Sequence, residues 1–361
     1  MRKILVINPG STSTKIAVYD SHTQLWQENI EHDSAVLQTY PTIFAQIPYR
    51  LPMILRCYEQ HGDKLEELAC VMSRGGLLPP LPAGAYEVND EMIDVLDNRP
   101  MVAHASNMGA AIALQIARPL GIKAYIYDPV TVDEMIDLVR VTGLKEVTRY
   151  GQGHNLNMRA AALRYCREGG LDYKQQNLIV AHLGGGITLT LHAGGRIIDM
   201  VSDDEGPFSP ERAGLIPTYK LARLIFNDNM DYREIMKKLQ RQGGLNGLLG
   251  TTDVRQVQER MAAGDEEAAL VYEAMALSVA QGIGRLAVVV DGAVDQIILT
   301  GGIAYSELFT GKIEKRVRFI APVTILPGEN EMQALADGAC RVLDGEETAT
   351  VYRESKAKRP L

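Results

Sequence analysis

The first candidate site is a glycine-containing turn over residues 8–15 that carries amide, hydroxyl and amino side chains. Its candidate ligands are Asn8, Gly10, Ser11, Ser13 and Lys15. Glycine allows the main chain to approach an anion closely, and hydroxyls and lysine add donors and positive charge. The turn predicts a phosphate-binding site, and a decorated hairpin turn is the alternative. It is not a Walker P-loop, because the sequence contains no GxxxxGK[ST].

Two further glycine turns lie in the second half of the chain. The second turn contains His182, Gly184, Gly185 and Gly186, and the third contains Gly301, Gly302 and Ile303. Three successive glycines weaken a strand, so they indicate either a close approach of phosphate or a bulge. The third turn follows a hydrophobic run and can present a helix start to a nucleotide, although such strand-to-helix turns are also common without a ligand.

The elements that must position these turns alternate between strand-like and helix-like segments, which predicts an α/β fold. Strand–turn–strand units are predicted over residues 3–19 and 178–201. Helical periodicity is predicted over 104–118, 154–168, 266–286 and 332–343. Because the strand–turn–strand unit occurs twice, we expect two similar lobes that face one another.

Composition narrows the classes of protein. The length of 361 residues favours two domains, and 46% hydrophobic with 23% charged residues indicates a folded protein. A net charge of −8 argues against nucleic-acid binding. The four cysteines lack zinc-site spacing and are expected to be reduced thiols in a cytoplasmic protein. We expect no membrane partner, because no stretch approaches the roughly 18 apolar residues that a membrane span requires.

Taken in order, the three turns resemble the phosphate-1, phosphate-2 and adenosine motifs of the superfamily that includes acetate kinase, sugar kinases, Hsp70 and actin. The finer resemblance, over nearly the whole chain, is to butyrate kinases and branched-chain fatty acid kinases of the acetokinase family. The matching segments are ILVINPGSTSTKIAVYD (4–20), SRGGLLPPLPAGAY (73–86), YDPVTVDEM (127–135), HLGGG (182–186), GPFSPERAG (206–214), LTGGIA (299–304) and PGENEMQALADGA (327–339).

The resemblance implies two ribonuclease-H-like lobes, with ATP and a carboxylic acid in the cleft between them. The predicted lobes are residues 1–152, joined by a C-terminal helix at about 335–361, and residues 153–334. The implied reaction is reversible transfer of the ATP γ-phosphate to a short-chain carboxylate, giving ADP and an acyl phosphate. Direct in-line transfer is more economical than a phosphorylated glutamate intermediate.

The resemblance also implies catalytic residues. Arg212 and Arg74 match arginines that face the substrate or the transition state, where a guanidinium can grip a carboxylate or phosphoryl group through two hydrogen bonds. His154 matches a histidine that contacts the transferring phosphoryl group. Related kinases usually carry an aromatic residue before this histidine, whereas Gly153 stands here.

Acidic residues are implied for the metal. Asp128 matches an aspartate near the metal and substrate, and either Glu331 or Glu329 matches a metal-linked glutamate. Because Mg²⁺ keeps several waters, these carboxylates are expected to bind it directly or through water. Leu77 to Leu81 are candidates for an apolar pocket for the acid's tail, and ordinary core packing is the alternative.

Three rival functions are carried forward. An acetate or propionate kinase would prefer a shorter acid, and a non-catalytic ATP-binding regulator would use the same fold without chemistry. A nicotinamide-dependent oxidoreductase is disfavoured, because no GxGxxG follows the first strand. The partners expected are a small carboxylate or acyl phosphate and further copies of the chain in a homo-oligomer.

Overall fold

A computed structural model describes residues 2–354 of the chain. These residues form two compact units. Unit 1 contains the described residues up to Asp133 and those from Asn330 onward, and unit 2 runs from Glu134 to Glu329. Each unit has its own sheet and its own hydrophobic core.

The secondary structure alternates between strands and helices. The strands are β1 (Lys3–Pro9), β2 (Ser13–Asp20), β3 (Thr23–Glu31), β4 (Leu68–Arg74), β5 (Ala85–Glu87), β6 (Lys123–Tyr127), β7 (Leu178–Leu183), β8 (Ile187–Ala193), β9 (Arg196–Val201), β10 (Gln296–Gly301), β11 (Val323–Pro327) and β12 (Thr350–Val351). The helices are α1 (Ser34–Leu37), α2 (Ile47–Gln60), α3 (Asp90–Asn98), α4 (Asn107–Leu120), α5 (Asp137–Arg140), α6 (Asn155–Gly169), α7 (Thr218–Asn227), α8 (Tyr232–Gln240), α9 (Gly244–Leu249), α10 (Val254–Ala262), α11 (Glu266–Ala287), α12 (Glu307–Val317) and α13 (Glu331–Leu343). Short 3₁₀ helices occupy Phe44–Gln46, Leu65–Glu67, Tyr173–Gln175, Val288–Val290 and Gly302–Tyr305.

The sheet of unit 1 has the strand order β12-β5-β6-β4-β1-β2-β3. Strands β1, β2 and β3 form an antiparallel meander, and β1 pairs parallel to β4, which pairs parallel to β6. The β1–β2 register places Asn8 directly opposite Lys15. Directly opposite residues of an antiparallel pair project from the same face, so both side chains emerge together beside the first turn.

The sheet of unit 2 repeats this topology. Its order is β11-β10-β7-β8-β9, with an antiparallel meander of β7, β8 and β9 and parallel pairing of β7 to β10 and of β10 to β11. The series β9-β8-β7-β10-β11 therefore matches β3-β2-β1-β4-β6 of unit 1. This repeated order confirms the predicted α/β fold with two ribonuclease-H-like lobes, while the expected cleft stays a prediction.

Helices cover both faces of the sheet of unit 1. Residues such as Ile7 and Val18 pack with Ile112 of α4 in the main core, to which α2 and α3 also contribute. On the other face, α13 packs against β1, β4 and β6. Gly338 of α13 lets the helix approach closely, because a Cβ there would lie 2.7 Å from a ring carbon of Tyr127.

The central helix of unit 2 corrects one expectation. Residues 266–290 are long and apolar enough to cross a membrane by length and composition alone, so the expectation that no stretch approaches a span was wrong. In the structure these residues are α11 and the following 3₁₀ helix. Tyr272, Met275 and Ile283 are among the α11 residues buried in the core of unit 2, and this core position accounts for the helix composition.

The unit boundaries differ from the predicted lobes at three places. Residues 330–334, which we assigned to the second lobe, lie in unit 1, where α13 begins at Glu331. Residues 134–152, which we assigned to the first lobe, lie in unit 2, because the Ile136 amide donates to the Ile198 carbonyl and Arg149 pairs with Asp199. The predicted C-terminal helix at about 335–361 is α13, which ends at Leu343. The chain then turns at Gly345, which has φ +76°, and adds β12 beside β5. Residues 355–361 of that prediction lie outside the described residues.

Candidate active site

The first turn connects β1 to β2 in unit 1. The Gly10 amide donates to the Ser13 carbonyl at 2.8 Å, which closes the turn. Ser11 and Lys15 are exposed, and Ser13 is partly exposed. Sequence reasoning missed one residue here. Arg50 of α2 is fully buried beneath the turn and donates to its carbonyls.

Three predicted site residues of unit 1 meet at the ends of β1 and β4 and the start of α13. The Asn8 amide donates to Glu331 Oε2 at 2.7 Å, and Arg74 Nη1 lies 3.1 Å from Glu331 Oε1. Asn8 is nearly buried, whereas Arg74 and Glu331 keep about a quarter of their side-chain surface exposed. A guanidinium, a carboxylate and an amide therefore share one edge of the sheet, available to a charged ligand.

Asp128 follows β6 in a backbone conformation that is rare for a residue with a side chain. Its φ is +36°, and its Oδ1 accepts from the Gly84 amide at 2.7 Å. Only 3% of the residue is exposed. Backbone strain of this kind persists only where the surroundings hold it, and it concentrates at functional sites.

The glycines after Arg74 are required by close packing. A Cβ on Gly75 would lie 2.6 Å from Pro129, and one on Gly76 would lie 2.7 Å from the Cα of Asn107. The Asn107 side chain accepts from the Leu77 amide at 2.8 Å and holds the segment against α4. The main chain that follows Arg74 is thus held in place by close packing, which leaves no room for side chains at Gly75 and Gly76.

The second turn in unit 2 leaves space for a functional side chain. A Cβ on Gly186 would lie 2.6 Å from Nη1 of Arg212, whereas one on Gly185 would approach only Glu211, at 3.8 Å. Arg212 donates to Asp203, a residue whose pKa is raised by burial against the opposing effect of Arg212. The guanidinium therefore lies against the glycine turn.

The loop that carries Arg212 is tightly folded around Ser209. The buried Ser209 hydroxyl donates to the Gly185 carbonyl at 2.7 Å and accepts from the Arg212 amide at 3.1 Å. A Cβ on Gly244, which has φ +59°, would lie 1.8 Å from the Ser209 carbonyl oxygen. The loop is thereby fastened to the second turn.

An ion-pair network that the sequence reading missed lies behind this loop. Arg149 donates to both carboxylate oxygens of Glu205, at 2.7 and 2.8 Å, and to Asp199 at 3.0 Å. Arg285 also donates to Glu205, at 2.9 Å. Burial alone would raise the pKa of Glu205, but its two arginine partners lower it. The network anchors the start of the Arg212 segment.

Two predicted histidines stack on each other in unit 2. The rings of His154 and His182 are parallel within 10°, with centroids 3.9 Å apart. His154 Nδ1 lies 3.0 Å from Thr188 Oγ1, and the Asn157 amide donates to His182 Nδ1 at 2.9 Å. The donated hydrogen bond assigns the proton of neutral His182 to Nε2, which lies 3.1 Å from Glu329 Oε1 without hydrogen-bond geometry.

Close packing accounts for glycine at position 153, where related kinases usually carry an aromatic residue before the histidine. A Cβ there would lie 3.1 Å from Met200 Sδ and 3.3 Å from Thr188. A larger side chain at this position would displace Thr188, the partner of His154. In this chain, His182 occupies the face of His154 as its stacking partner.

The third turn lies beside the second in unit 2. Strands β7 and β10 are parallel, with His182 opposite Thr300, so both turns leave the same edge of the sheet. Gly301 has φ +91°, and a Cβ there would lie 2.4 Å from the Leu183 carbonyl oxygen. Gly302 is exposed with open space around it, whereas Ile303 packs partly against the core.

The predicted site residues therefore form two groups, one in each unit. Unit 1 holds Asn8, Gly10, Ser11, Ser13, Lys15, Arg74, Asp128 and Glu331. Unit 2 holds His154, His182, Gly184, Gly185, Gly186, Arg212, Gly301, Gly302, Ile303 and Glu329. Glu329 and Glu331 have different partners, since Glu329 faces His182 and Glu331 faces Arg74 and Asn8.

No three His, Cys, Asp or Glu side chains within residues 2–354 come together in a cluster that could hold a metal ion. The four cysteines are unpaired thiols, three of them buried, as expected from their spacing.

Comparison with known proteins places the sequence in a family. The chain is 45% identical over 353 residues to the probable butyrate kinase 2 of Caldanaerobacter subterraneus subsp. tengcongensis, an alignment that covers 98% of this chain and 100% of the relative. Butyrate kinase 2 of Clostridium acetobutylicum is 46% identical over 353 residues, 97% of this chain and 99% of the relative. The profile of the acetokinase family matches residues 143–315. The chain belongs to the acetokinase family.

This acetokinase is an ATP-dependent carboxylate kinase that forms an acyl phosphate, as the resemblance implied. Solved structures show the same fold. Acetate kinase of Porphyromonas gingivalis superposes with a TM-score of 0.77 at 19% identity, covering 94% of this chain and 99% of that chain. A propionate kinase of Francisella tularensis subsp. tularensis superposes with a TM-score of 0.74 at 18% identity, covering 93% and 99%.

Proposed function

We propose that this acetokinase phosphorylates butyrate or a branched-chain acid of similar length in preference to acetate and propionate. The observation that supports the proposal is the 44–46% identity, over at least 97% of the chain, to relatives named butyrate kinases. Three acetate and propionate kinase structures similar to this chain are 15–19% identical to it and support the fold alone.

The chemistry needs charge neutralisation more than proton transfer. A carboxylate acceptor is already ionised at pH 7, so no general base is required to activate it. The enzyme must bring two anions together in line and offset the charge that develops on the transferring group. We assign this task to arginines, an imidazole N–H and backbone amides. Each group of predicted residues contains an arginine and a glycine turn, and the two histidines lie in unit 2.

We assign Arg212 to the transferring phosphoryl group and Arg74 to the acid's carboxylate. The main-chain amide of Arg212 donates to the Ser209 hydroxyl, and its guanidinium pairs with Asp203. The guanidinium is therefore positioned before the substrates bind. Arg74 is paired with Glu331, which orients it in the same way. His154 is assigned to the phosphoryl group as a hydrogen-bond donor, with its ring fixed between Thr188 and His182.

The glycine turns are assigned to the nucleotide. In unit 1, Asn8 and Lys15 project together beside the amides of the first turn, which suits the terminal phosphates. In unit 2, the second turn is assigned to phosphate and the exposed third turn to the adenosine. His182 is assigned to phosphate through its Nε2 proton.

Magnesium is proposed to enter bound to ATP. When bound with the nucleotide, Mg²⁺ would offset part of the negative charge of the phosphates. Asp128, Glu331 and Glu329 are proposed to hold its waters. Asp128 already accepts a backbone hydrogen bond and Glu331 already contacts Arg74 and Asn8, which suits indirect contact through water better than direct ligation.

Selectivity for the acid is proposed to come from the segment after Arg74. Leu78 and Leu81 belong to the core of unit 1 and are therefore explained by packing. Leu77 is buried outside that core cluster, and Pro79 and Pro80 lie between Leu78 and Leu81, so these three residues remain the candidates for contact with the acid's tail. Each additional buried CH₂ contributes about 0.8 kcal/mol, or roughly fourfold in selectivity.

The test is a comparison of kcat/KM over straight and branched acids from two to five carbons, measured as acyl hydroxamate with ATP, Mg²⁺ and hydroxylamine. We expect the optimum at butyrate or a branched acid, about tenfold or more above acetate for two additional CH₂ groups. An optimum at acetate or propionate would assign the enzyme to the rival substrate class.

The role of Arg212 is tested in the same assay. We expect Arg212→Ala to lower kcat by about 10³-fold or more, the range found when an arginine at a phosphoryl group is lost. The matched control is Arg255→Ala, which removes an exposed arginine that also pairs with an aspartate of unit 2. Equal kcat for the two variants would remove Arg212 from the mechanism.

We further propose that the enzyme is a cytoplasmic homo-oligomer that binds neither nucleic acid nor membrane. Size-exclusion chromatography with light scattering measures the assembly, and fractionation of the native cells measures the location. A monomer would contradict the proposed homo-oligomer, and recovery in the membrane fraction would contradict the proposed cytoplasmic location.

A further inference from the structure

Arg50 is one of the largest fully buried side chains in the described part of the chain. It lies on α2, about forty positions from the first turn in sequence, yet its guanidinium reaches the underside of that turn. Nη1 donates to the Gly10 carbonyl at 2.9 Å and to the Ser13 carbonyl at 3.1 Å. Nη2 donates to the Ser11 carbonyl at 2.9 Å.

The remaining donors of Arg50 are also used. Nε and Nη2 donate to Gln46 Oε1 at 3.1 and 2.9 Å, and Nη1 is 3.2 Å from Thr14 Oγ1. All of these acceptors are neutral oxygens. Within residues 2–354, no carboxylate is among the hydrogen-bond or ion-pair partners of Arg50, so its charge is not neutralised locally.

The adjacent histidine adds no negative charge. His32 is 4% exposed, and its Nε2 lies 2.8 Å from Thr14 Oγ1. Burial, and secondly the charge of Arg50, lower the pKa of His32 to about 4, so this imidazole is neutral at pH 7. The base of the first turn therefore carries one buried positive charge.

Peptide geometry determines what the guanidinium does to the turn. In a planar trans peptide the C=O and the following N–H point in opposite directions. Because the carbonyls of Gly10 and Ser11 point towards Arg50, the amides of Ser11 and Thr12 point away from it. Both residues are exposed, and neither amide donates to another residue in the described range. These two N–H groups are available to an anion.

We propose that Arg50 is a positioning residue for the triphosphate, which turns the amides of the first turn towards the phosphates and supplies the positive charge beneath them. The Arg50 side chain acts through the peptide groups of the first turn and does not contact the substrate itself. This inference rests on the proposed assignment of the first turn to phosphate, and it identifies the β- and γ-phosphates as the groups that would neutralise the buried charge.

The experiment measures nucleotide binding to the full-length protein by titration calorimetry, without the acid substrate. Arg50→Met removes the charge and the hydrogen bonds, whereas Arg50→Lys keeps the charge but has three donors, too few for the five oxygens that Arg50 contacts. We expect the Kd for ATP to rise about 10- to 100-fold in Arg50→Met and less in Arg50→Lys. The Kd for AMP, which lacks the β- and γ-phosphates, should change less than threefold.

A purely structural role would give a different pattern. Arg341→Met is the matched control, because it removes a second, largely buried arginine of unit 1, which donates to Tyr127. It should lower the melting temperature without a selective loss of ATP. If Arg50→Met lost ATP and AMP equally, or bound ATP as the wild type does, the inference would be overturned. If Arg50→Met does not fold, the same criteria apply to Arg50→Lys.

Failure of the inference can be distinguished from failure of the proposed function. Lys15→Ala removes an exposed charge beside the turn and tests the assignment of the turn to phosphate directly. If Lys15→Ala weakens ATP binding and the Arg50 variants do not, only the role of Arg50 fails. If none of these variants changes ATP binding, the assignment of the first turn fails as well.

Discussion

The most direct test of the second turn is Gly186→Ala. The added Cβ would lie 2.6 Å from Nη1 and 2.9 Å from Cζ of Arg212. Normal contact between such atoms is about 3.5 Å, so the guanidinium must move by almost 1 Å. The guanidinium is the end of a flexible side chain, so this movement should cost little stability. Displacement of a catalytic group by about 1 Å can lower the rate by roughly 10²-fold, or about 2.7 kcal/mol in the activation free energy.

The matched control is Gly185→Ala, in the same turn. Its Cβ would approach only Glu211, at 3.8 Å, which is ordinary contact. Neither glycine has the left-handed φ that would make alanine strained. We therefore expect similar melting temperatures for both variants, with kcat at saturating ATP in the hydroxamate assay falling only in Gly186→Ala. Equal kcat values, or a large fall in melting temperature for Gly186→Ala, would refute the reasoning.

Three further predictions concern stability, pH and metal. Gly76→Ala places a Cβ 2.7 Å from the backbone of Asn107, so we expect chemical denaturation to show a loss of about 1–3 kcal/mol; Gly311→Ala, which has open space, should be neutral or stabilising. The pKa of His32 is lowered to about 4 in the folded state, so its contribution to stability is complete above about pH 6.5 and is lost as the pH falls towards 4. Unfolding free energies from pH 6.5 to 4.5 should therefore decline less steeply in His32→Gln, and unchanged slopes would contradict this. EDTA should abolish acyl hydroxamate formation reversibly without lowering the melting temperature, whereas a lower melting temperature would indicate a structural metal.

Local sequence patterns predicted the strands that carry the turns. The strand–turn–strand unit predicted over residues 178–201 begins with β7 at Leu178 and ends with β9 at Val201, because the apolar runs are bounded by glycines or polar residues. The long helix of unit 2 was predicted to end at residue 286 and ends at Ala287. Periodicity and turn chemistry are local properties, so the sequence displays them directly.

Contacts between distant residues could not be predicted in this way. Arg50 lies between Tyr49 and Leu51 in α2, and nothing in its local sequence separates it from a charge whose guanidinium extends into solvent. The pairing of Asn8 with Glu331 joins residues 323 positions apart. Position 186 requires glycine because the guanidinium of Arg212 lies against it, and only the folded loop brings the two residues into contact. Spacing along the chain carries no information about these distances.

The division of the sequence between the two units also affects how the chain folds during synthesis. Unit 2 is one continuous segment, whereas unit 1 is completed only when its last portion, from Asn330 onward, has been made. Until α13 arrives, the face of the first sheet that contains Ile4, Val6 and Met72 lacks its cover, although these side chains are fully buried in the finished protein. The nascent first sheet is therefore a candidate client for chaperones, and a ribosome-bound chain that stops before residue 330 should remain sensitive to protease in its N-terminal part.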